Sequence, residues 1–199
     1  YDRAIESIDK VIEIDPINAK AFFMKGFLYK ETGDSTNAVR NFRKVIEIDP
    51  NYVDAYEELG LLYAIHGNKL GIEYLTTAIT LSPNNIQARY GLALLYQDLE
   101  NYTLAVEEYN KILSIDSTHA NSLNNLGYIE IQQGNYESAI SFFDRALLTN
   151  SFFVEAIDNK GYAYELMNNI GKAKEMYQMA LSINPNYKNS LEGLNRIGK

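Results

Sequence analysis

The stretch that decides the fold is ANSLNNLGYIEIQQGNYESAISFFDRALLTNSFF, residues 120–153, followed directly by VEAIDNKGYAYELMNNIGKAKEMYQMALSINPNY, residues 154–187. The two 34-residue segments superimpose without a gap: Gly127 on Gly161, Ala139 on Ala173, Phe143 on Tyr177, Ala146 on Ala180. Working outward, Pro16, Pro50, Pro83, Ser117, Ser151 and Pro185 follow one another in steps of 34, 33, 34, 34 and 34 residues. A fixed period of this length is the signature of stacked helix–turn–helix units. In such a stack each unit leans on its neighbours, and the array offers an extended concave surface. That points to recognition rather than chemistry.

Five full units begin at Ala19, Val53, Ile86, Ala120 and Val154. Position 8 of each reads Gly26, Gly60, Ala93, Gly127, Gly161, and position 20 reads Ala38, Gly71, Ala105, Ala139, Ala173. Position 24 is large (Phe42, Leu75, Tyr109, Phe143, Tyr177), and position 27 is Val45, Ala78, Ile112, Ala146, Ala180. A mid-helix Gly costs about 1 kcal/mol relative to Ala. Its recurrence implies that a neighbouring helix must come close there. Burial of the large residue at position 24 contributes roughly 1.5–3 kcal/mol. Gly33, Gly67, Gly134 and Asn168 fall where the first helix must end, as residues that tolerate positive φ. Proline at position 32 stops the second helix. The second unit is one residue short in its turn, between Asn68 and Gly71.

Small position 8, Ala at 20, an aromatic at 24 and Pro at 32, at this period, resemble the tetratricopeptide repeat (TPR) family. The resemblance spans nearly the whole chain. It implies an all-α fold, a right-handed superhelical α-solenoid of stacked antiparallel helix pairs with about twelve helices. The chain departs from the family pattern at position 4, which has no Trp, at position 7, where Lys25 and Lys160 replace Leu, and at Glu130 in place of the position-11 Tyr. The expected organisation is one solenoid over 1–199. Residues 1–18 form the second helix of a truncated repeat, full repeats cover 19–52, 53–85, 86–119, 120–153 and 154–187, and 188–199 form a capping or truncated helix. The chain begins at Tyr1 within a helical pattern, which reads as a piece of a longer protein. The face of Ile5, Ile8, Val11 and Ile12 lacks a partner helix in this reading and offers a surface for a homodimer.

In the family the first helix of each unit lines the groove through positions 2, 5, 9, 12 and 13, often with 6. This spacing keeps residues on one helical face. Carried over, the peptide-binding residues are Phe23 and Phe27, Asp54 and Glu57, Tyr90 and Gln97, then Asn121, Asn124, Asn125 and Tyr128, and finally Asp158, Asn159 and Tyr162, with Asn189 and Glu192 extending the line. Asn125 and Asn159 share position 6 and resemble the asparagine ladder of O-GlcNAc transferase repeats. An amide both donates and accepts, so it can hold a peptide backbone whatever its side chains. Tyr128 and Tyr162 share position 9, where amphipathic rings serve as anchors. The Lys and Asn of the chaperone-tail carboxylate clamp are missing, since positions 5 and 9 read Phe23 and Phe27, Glu57 and Leu61, Tyr90 and Leu94, Asn124 and Tyr128, Asp158 and Tyr162.

Net charge is −8, from 18 Lys and Arg against 26 Asp and Glu. That balance argues against nucleic acid, whose phosphates select basic faces, and suits a basic or extended protein or peptide partner. No apolar run approaches the roughly 20 residues of a membrane-spanning helix, so direct membrane insertion of this segment is not expected. The absence of Cys excludes disulfides and thiolate metal sites. His66 and His119 are expected in separate turns, and Glu57–Glu58 and Glu107–Glu108 read as solvated faces. No catalytic residue, metal ligand set or cofactor is therefore expected. The function expected is a non-catalytic protein–protein interaction scaffold. The alternatives are a fragment of a bacterial envelope assembly (lipo)protein or the targeting arm of a larger enzyme. The compartment, cytoplasm or bacterial envelope, is left open by the sequence.

Overall fold

The computed structural model describes residues 1–198. Among them are twelve α-helices and no strands. These are α1 (Asp2–Ile14), α2 (Ala19–Glu31), α3 (Ser35–Ile48), α4 (Val53–Ala64), α5 (Leu70–Leu81), α6 (Ile86–Asp98), α7 (Tyr102–Ile115), α8 (Ala120–Gln132), α9 (Tyr136–Thr149), α10 (Val154–Leu166), α11 (Ile170–Ile183) and α12 (Lys188–Ile197). The five expected unit starts are the first residues of α2, α4, α6, α8 and α10.

Local chemistry sets the boundaries. The side chains of Asn18, Asp34, Asn85 and Asn169 each accept a backbone N–H of the first turn that follows them. Each such cap contributes about 1 kcal/mol. The first helices end on one repeated device. Gly33 (φ 80°), Gly67 (φ 62°), Gly134 (φ 81°) and Asn168 (φ 58°) take the left-handed conformation. The following N–H then reaches back five residues: Asp34 to the Tyr29 carbonyl, Asn68 to Tyr63, Asn135 to Glu130, Asn169 to Tyr164. The third turn does the same with Glu100 at φ 57° and Asn101 bonded to the Tyr96 carbonyl, although the sequence has no glycine there. Between units, Asp49, Asn150 and Asn184 fold their side chains onto the N–H two residues on, so the chain turns sharply after each second helix.

The chain forms two compact units, Tyr1–Glu108 and Tyr109–Lys199. In the first, Phe42 is fully buried with Ala38, Leu59 and Leu62, and Leu75 with Ala78, Ala88 and Leu92. In the second, Phe143 is buried among Leu123, Ala139, Ala146, Ala156 and Ala163. The large residue of each of these second helices lies on the glycine of its own first helix. A Cβ added to Gly26 would stand 2.8 Å from Phe42 Cε1, to Gly60 2.5 Å from Leu75 Cγ, to Gly127 2.6 Å from Phe143 Cε1, and to Gly161 2.9 Å from Tyr177 Cε1. The mid-helix glycines are therefore packing sites.

Three substitutions test this packing. Gly60→Ala lowers the unfolding free energy by about 1–3 kcal/mol, because its Cβ would also meet the Leu75 backbone nitrogen at 3.0 Å. Gly91→Ala costs less, because the Leu61 Cδ2 it would meet is the tip of a flexible side chain. Gly171→Ala meets nothing and gains up to about 1 kcal/mol of helix propensity. Urea unfolding should give that order, and an unaffected Gly60→Ala protein would contradict the packing argument.

Candidate protein-binding site

In the first unit, α2 carries Phe23 and Phe27. Phe23 is half-buried, with its ring 5.4 Å from Phe42 and 5.1 Å from Tyr52. Phe27 is exposed and lies under Lys30 Nζ at 4.8 Å. Both line an apolar cleft of about 570 Å³ with Ala4, Ile8 and Met24. Lys30 donates to both Glu58 oxygens, at 3.0 and 2.8 Å. Glu57 is half-buried and accepts the Asn85 amide at 2.6 Å. Burial raises the Glu57 pKa above the usual carboxylate value, the Asn85 hydrogen bond opposes it, and Glu58 and Asp54 add to the rise. Asp54 is exposed, and Tyr90 and Gln97 are half-buried. A second cleft, of about 470 Å³, is lined by Leu61, Ala64, Ile65 and Leu94 with Lys30, Glu58 and Asp98 at its polar parts.

The acidic pairs therefore differ from the solvated faces expected of them. Glu57 and Glu58 are tied to Asn85 and Lys30, and Glu108 is buried with its carboxylate 2.7 Å from Arg89. Only Glu107 is exposed. Register gave the face of each residue, but the partner stands on another helix or, for Glu57, at the cap of one.

In the second unit, α8, α10 and α12 bring the remaining candidates together. Asn121 is exposed, at the start of α8. Asn124 is buried and belongs to a chain of amides: Asn159 donates to Asn124 Oδ1 at 3.0 Å, Asn124 donates to Asn125 Oδ1 at 3.3 Å, and Asn125 donates to the Tyr109 hydroxyl at 3.0 Å. The two position-6 amides thus hold the helices in register through Asn124. Asp158 is 5% exposed, and Ser190 Oγ donates to its Oδ1 at 2.5 Å. Glu165 receives Arg196 through two bonds of 2.9 and 3.1 Å and the Tyr177 hydroxyl at 2.6 Å. Arg196 also lies 5.7 Å from the Tyr162 ring. Tyr128, Asp158, Asn159, Tyr162, Asn189 and Arg196 line an open cleft of about 370 Å³.

Two carboxylates here are tuned in opposite senses. Burial pushes Asp158 above the usual 3.8, only partly offset by Ser190 and Arg196, while Glu155 and Glu165 add to the rise. For Glu165 burial also pulls upward, but Arg196 and the Tyr177 hydroxyl outweigh it and hold the carboxyl below its usual value. Burial and the Glu165 hydrogen bond push the Tyr177 phenol far up, so it stays a donor.

Register did not single out Ser190 or Arg196, and it assigned Tyr109 to packing alone, as a position-24 residue. The available signal was positional, since Arg196 stands at position 9 of its helix, as Tyr128 and Tyr162 do. His119 caps α8, its Nδ1 accepting the Ser122 N–H at 3.2 Å, and His66 is exposed in the α4–α5 turn. Among the described residues no group of three or more His, Asp or Glu side chains could hold a metal ion. No helix of the described residues is long and apolar enough to cross a membrane.

Antiparallel helix pairs at a 34-residue period, with polar and aromatic side chains gathered on the first helices, define a helical-repeat scaffold. Family models described as tetratricopeptide repeat match residues 8–40, 84–147 and 154–187, and one described as TPR repeat matches 26–67. The chain belongs to the tetratricopeptide repeat family. Solved structures agree. PilW, a widely conserved type IV pilus biogenesis factor, has a TM-score of 0.84 at 16% identity, over 98% of this chain and 90% of its own. YrrB, a TPR protein with an unusual peptide-binding site, has 0.75 at 21%, over 96% and 99%. A tetratricopeptide repeat protein from Parabacteroides merdae ATCC 43184 has 0.80 at 21%, over 90% and 72%. At these identities the likeness is one of fold. No curated protein matches the chain.

The charge state of Asp158 has a measurable consequence. Its folded-state pKa is raised, so the ionised carboxylate destabilises the fold above that pKa. That cost disappears as pH falls toward the unfolded-state value. Asp158→Asn keeps an acceptor for Ser190 and should be more stable than the parent at neutral pH, by a margin that shrinks on acidification. Urea midpoints of parent and variant across that range test the sign. Glu165, with a lowered pKa, contributes stability that is lost at low pH in both proteins.

Proposed function

We propose that this chain is a non-catalytic scaffold that binds an extended peptide or protein segment along the first-helix faces of its repeats. The observation that carries the reading is the second-unit cleft, where three first helices converge Tyr128 from α8, Asn159 and Tyr162 from α10, and Asn189 from α12 on one open space beside a carboxylate. Rigid aromatic rings supply contact area at low entropic cost, and amides supply adaptable hydrogen bonds. In the first unit the cleft of Leu61, Ala64, Ile65 and Leu94 suits an apolar side chain of the same kind of ligand. The residues proposed to line the site are Phe23, Phe27, Asp54, Glu57, Tyr90, Gln97, Asn121, Asn124, Asn125, Tyr128, Asp158, Asn159 and Tyr162. Asn124 and Asp158 act from largely buried positions. The reading of residues 1–199 as one repeat domain is part of the same proposal.

A photo-crosslinking residue at Tyr128, with one at the exposed second-helix residue Glu175 as control, tests the site in native extract. A partner captured from Tyr128 and not from Glu175 is expected. Replacing Tyr128 and Tyr162 together by Ala should weaken its binding by at least about tenfold. Crosslinks from Glu175 alone would move the site to the second helices. Pairing of two copies on the apolar α1–α2 cleft is a separate part of the proposal, and light scattering that gives only monomer mass at high concentration would remove it.

A further inference from the structure

We infer that the second-unit cleft is the receptor for one basic side chain of the bound segment, lysine or arginine, with the Asp158 carboxylate as its counter-ion and Tyr128 and Tyr162 as its walls. The inference rests on the groove reading above and adds the chemistry of the ligand.

Asp158 is 95% buried on α10, and among the described residues only one of its oxygens is engaged, by Ser190. Among the described residues Oδ2 accepts no hydrogen bond, yet no fully enclosed side-chain oxygen or nitrogen lacks a partner. Oδ2 is therefore the part of Asp158 that reaches the cleft, whose wall it helps to form. No Lys or Arg of the described residues lies within ion-pair distance of Asp158. The nearby cation, Arg196, is already held by Glu165 through two hydrogen bonds and sits over Tyr162. A buried carboxylate without a cation is unfavourable unless paired, so a ligand cation at Oδ2 supplies what the fold leaves out.

The surroundings select the same sign. Glu155 lies close enough to raise the Asp158 pKa, and Glu192 lines the cleft. An anionic ligand would have to take Arg196 from Glu165 and face the Asp158 and Glu192 carboxylates that line the cleft. A cation meets an open oxygen, and the tyrosine rings favour both an ammonium or guanidinium group and its aliphatic stem. At about 370 Å³ the cleft is near the lower end of the roughly 300–1,000 Å³ typical of ligand sites, which suits one long side chain. Asn159 and Asn189, which also line the cleft, can bond the flanking peptide backbone.

Selection of a phage-displayed random peptide library on the full chain tests both levels. The expected result is a set of peptides that need Tyr128 and Tyr162 for binding and share a Lys or Arg at one position. Replacing that residue by norleucine should weaken binding to the parent about tenfold or more and have little effect on the Asp158→Asn protein. Tyrosine-dependent peptides with no basic preference would overturn this inference and leave the groove reading standing. Absence of any tyrosine-dependent peptide would overturn both. The norleucine comparison on the parent chain needs no substitution in the protein, so it tests the basic preference independently of the Asp158→Asn protein.

Discussion

Everything in this protein depends on how closely the two helices of a repeat can approach. The first helix has no side chain where the second must cross, at Gly26, Gly60, Gly127 and Gly161, and Phe42, Leu75, Phe143 and Tyr177 fill the space. A single methyl group at those positions would stand 2.5 to 2.9 Å from the filling side chain, well inside van der Waals contact. Because the glycine face of each first helix is fixed against its partner, the register of that helix is fixed too. With 3.6 residues per turn, positions 2, 5, 6 and 9 are then held on another side. The candidate binding surface follows from the packing of the repeat, with no loop required to form it.

Many of the polar side chains already hold this framework, including several that border the proposed groove. Lys30 with Glu58 and Arg89 with Glu108 are pairs across helices, and the chain of amides from Asn159 to the Tyr109 hydroxyl fastens the helices of the second unit. Such pairs satisfy charges and amides that burial would otherwise penalise. Glu165 is held in the same way by Arg196 and Tyr177. Asp158 differs from all of these. It is buried like a structural carboxylate, but among the described residues its only hydrogen bond is from a serine hydroxyl, and its pKa is raised instead of lowered. A carboxylate of this kind stabilises little by itself and has most to gain from a cation brought in from outside.

The fold was legible because the repeat states the same solution several times. The helix starts at Ala19, Val53, Ile86, Ala120 and Val154 and the left-handed turns at Gly33, Gly67, Gly134 and Asn168 follow from period and residue type alone. Glu100 escaped notice because the third turn uses the same hydrogen bonds without the glycine that marks them elsewhere. The site was legible by face only. Helical register placed Asn124 and Asp158 among the groove residues, but their burial and their bonds to Asn159 and Ser190 are contacts between helices more than 30 residues apart in sequence. Glu57 and Glu58 looked solvated for the same reason, since Asn85 and Lys30 stand on other segments. A single sequence gives the direction of a side chain and leaves open what meets it there.

The most direct test of the central claim, that the first-helix faces are the binding surface, is a backbone amide chemical-shift map of the labelled chain titrated with a peptide selected on it. The account predicts perturbations concentrated on the first helices, including the segments around Tyr128 on α8, Asp158 and Tyr162 on α10, and Asn189 on α12. Perturbations confined to the second helices α9 and α11 would contradict it.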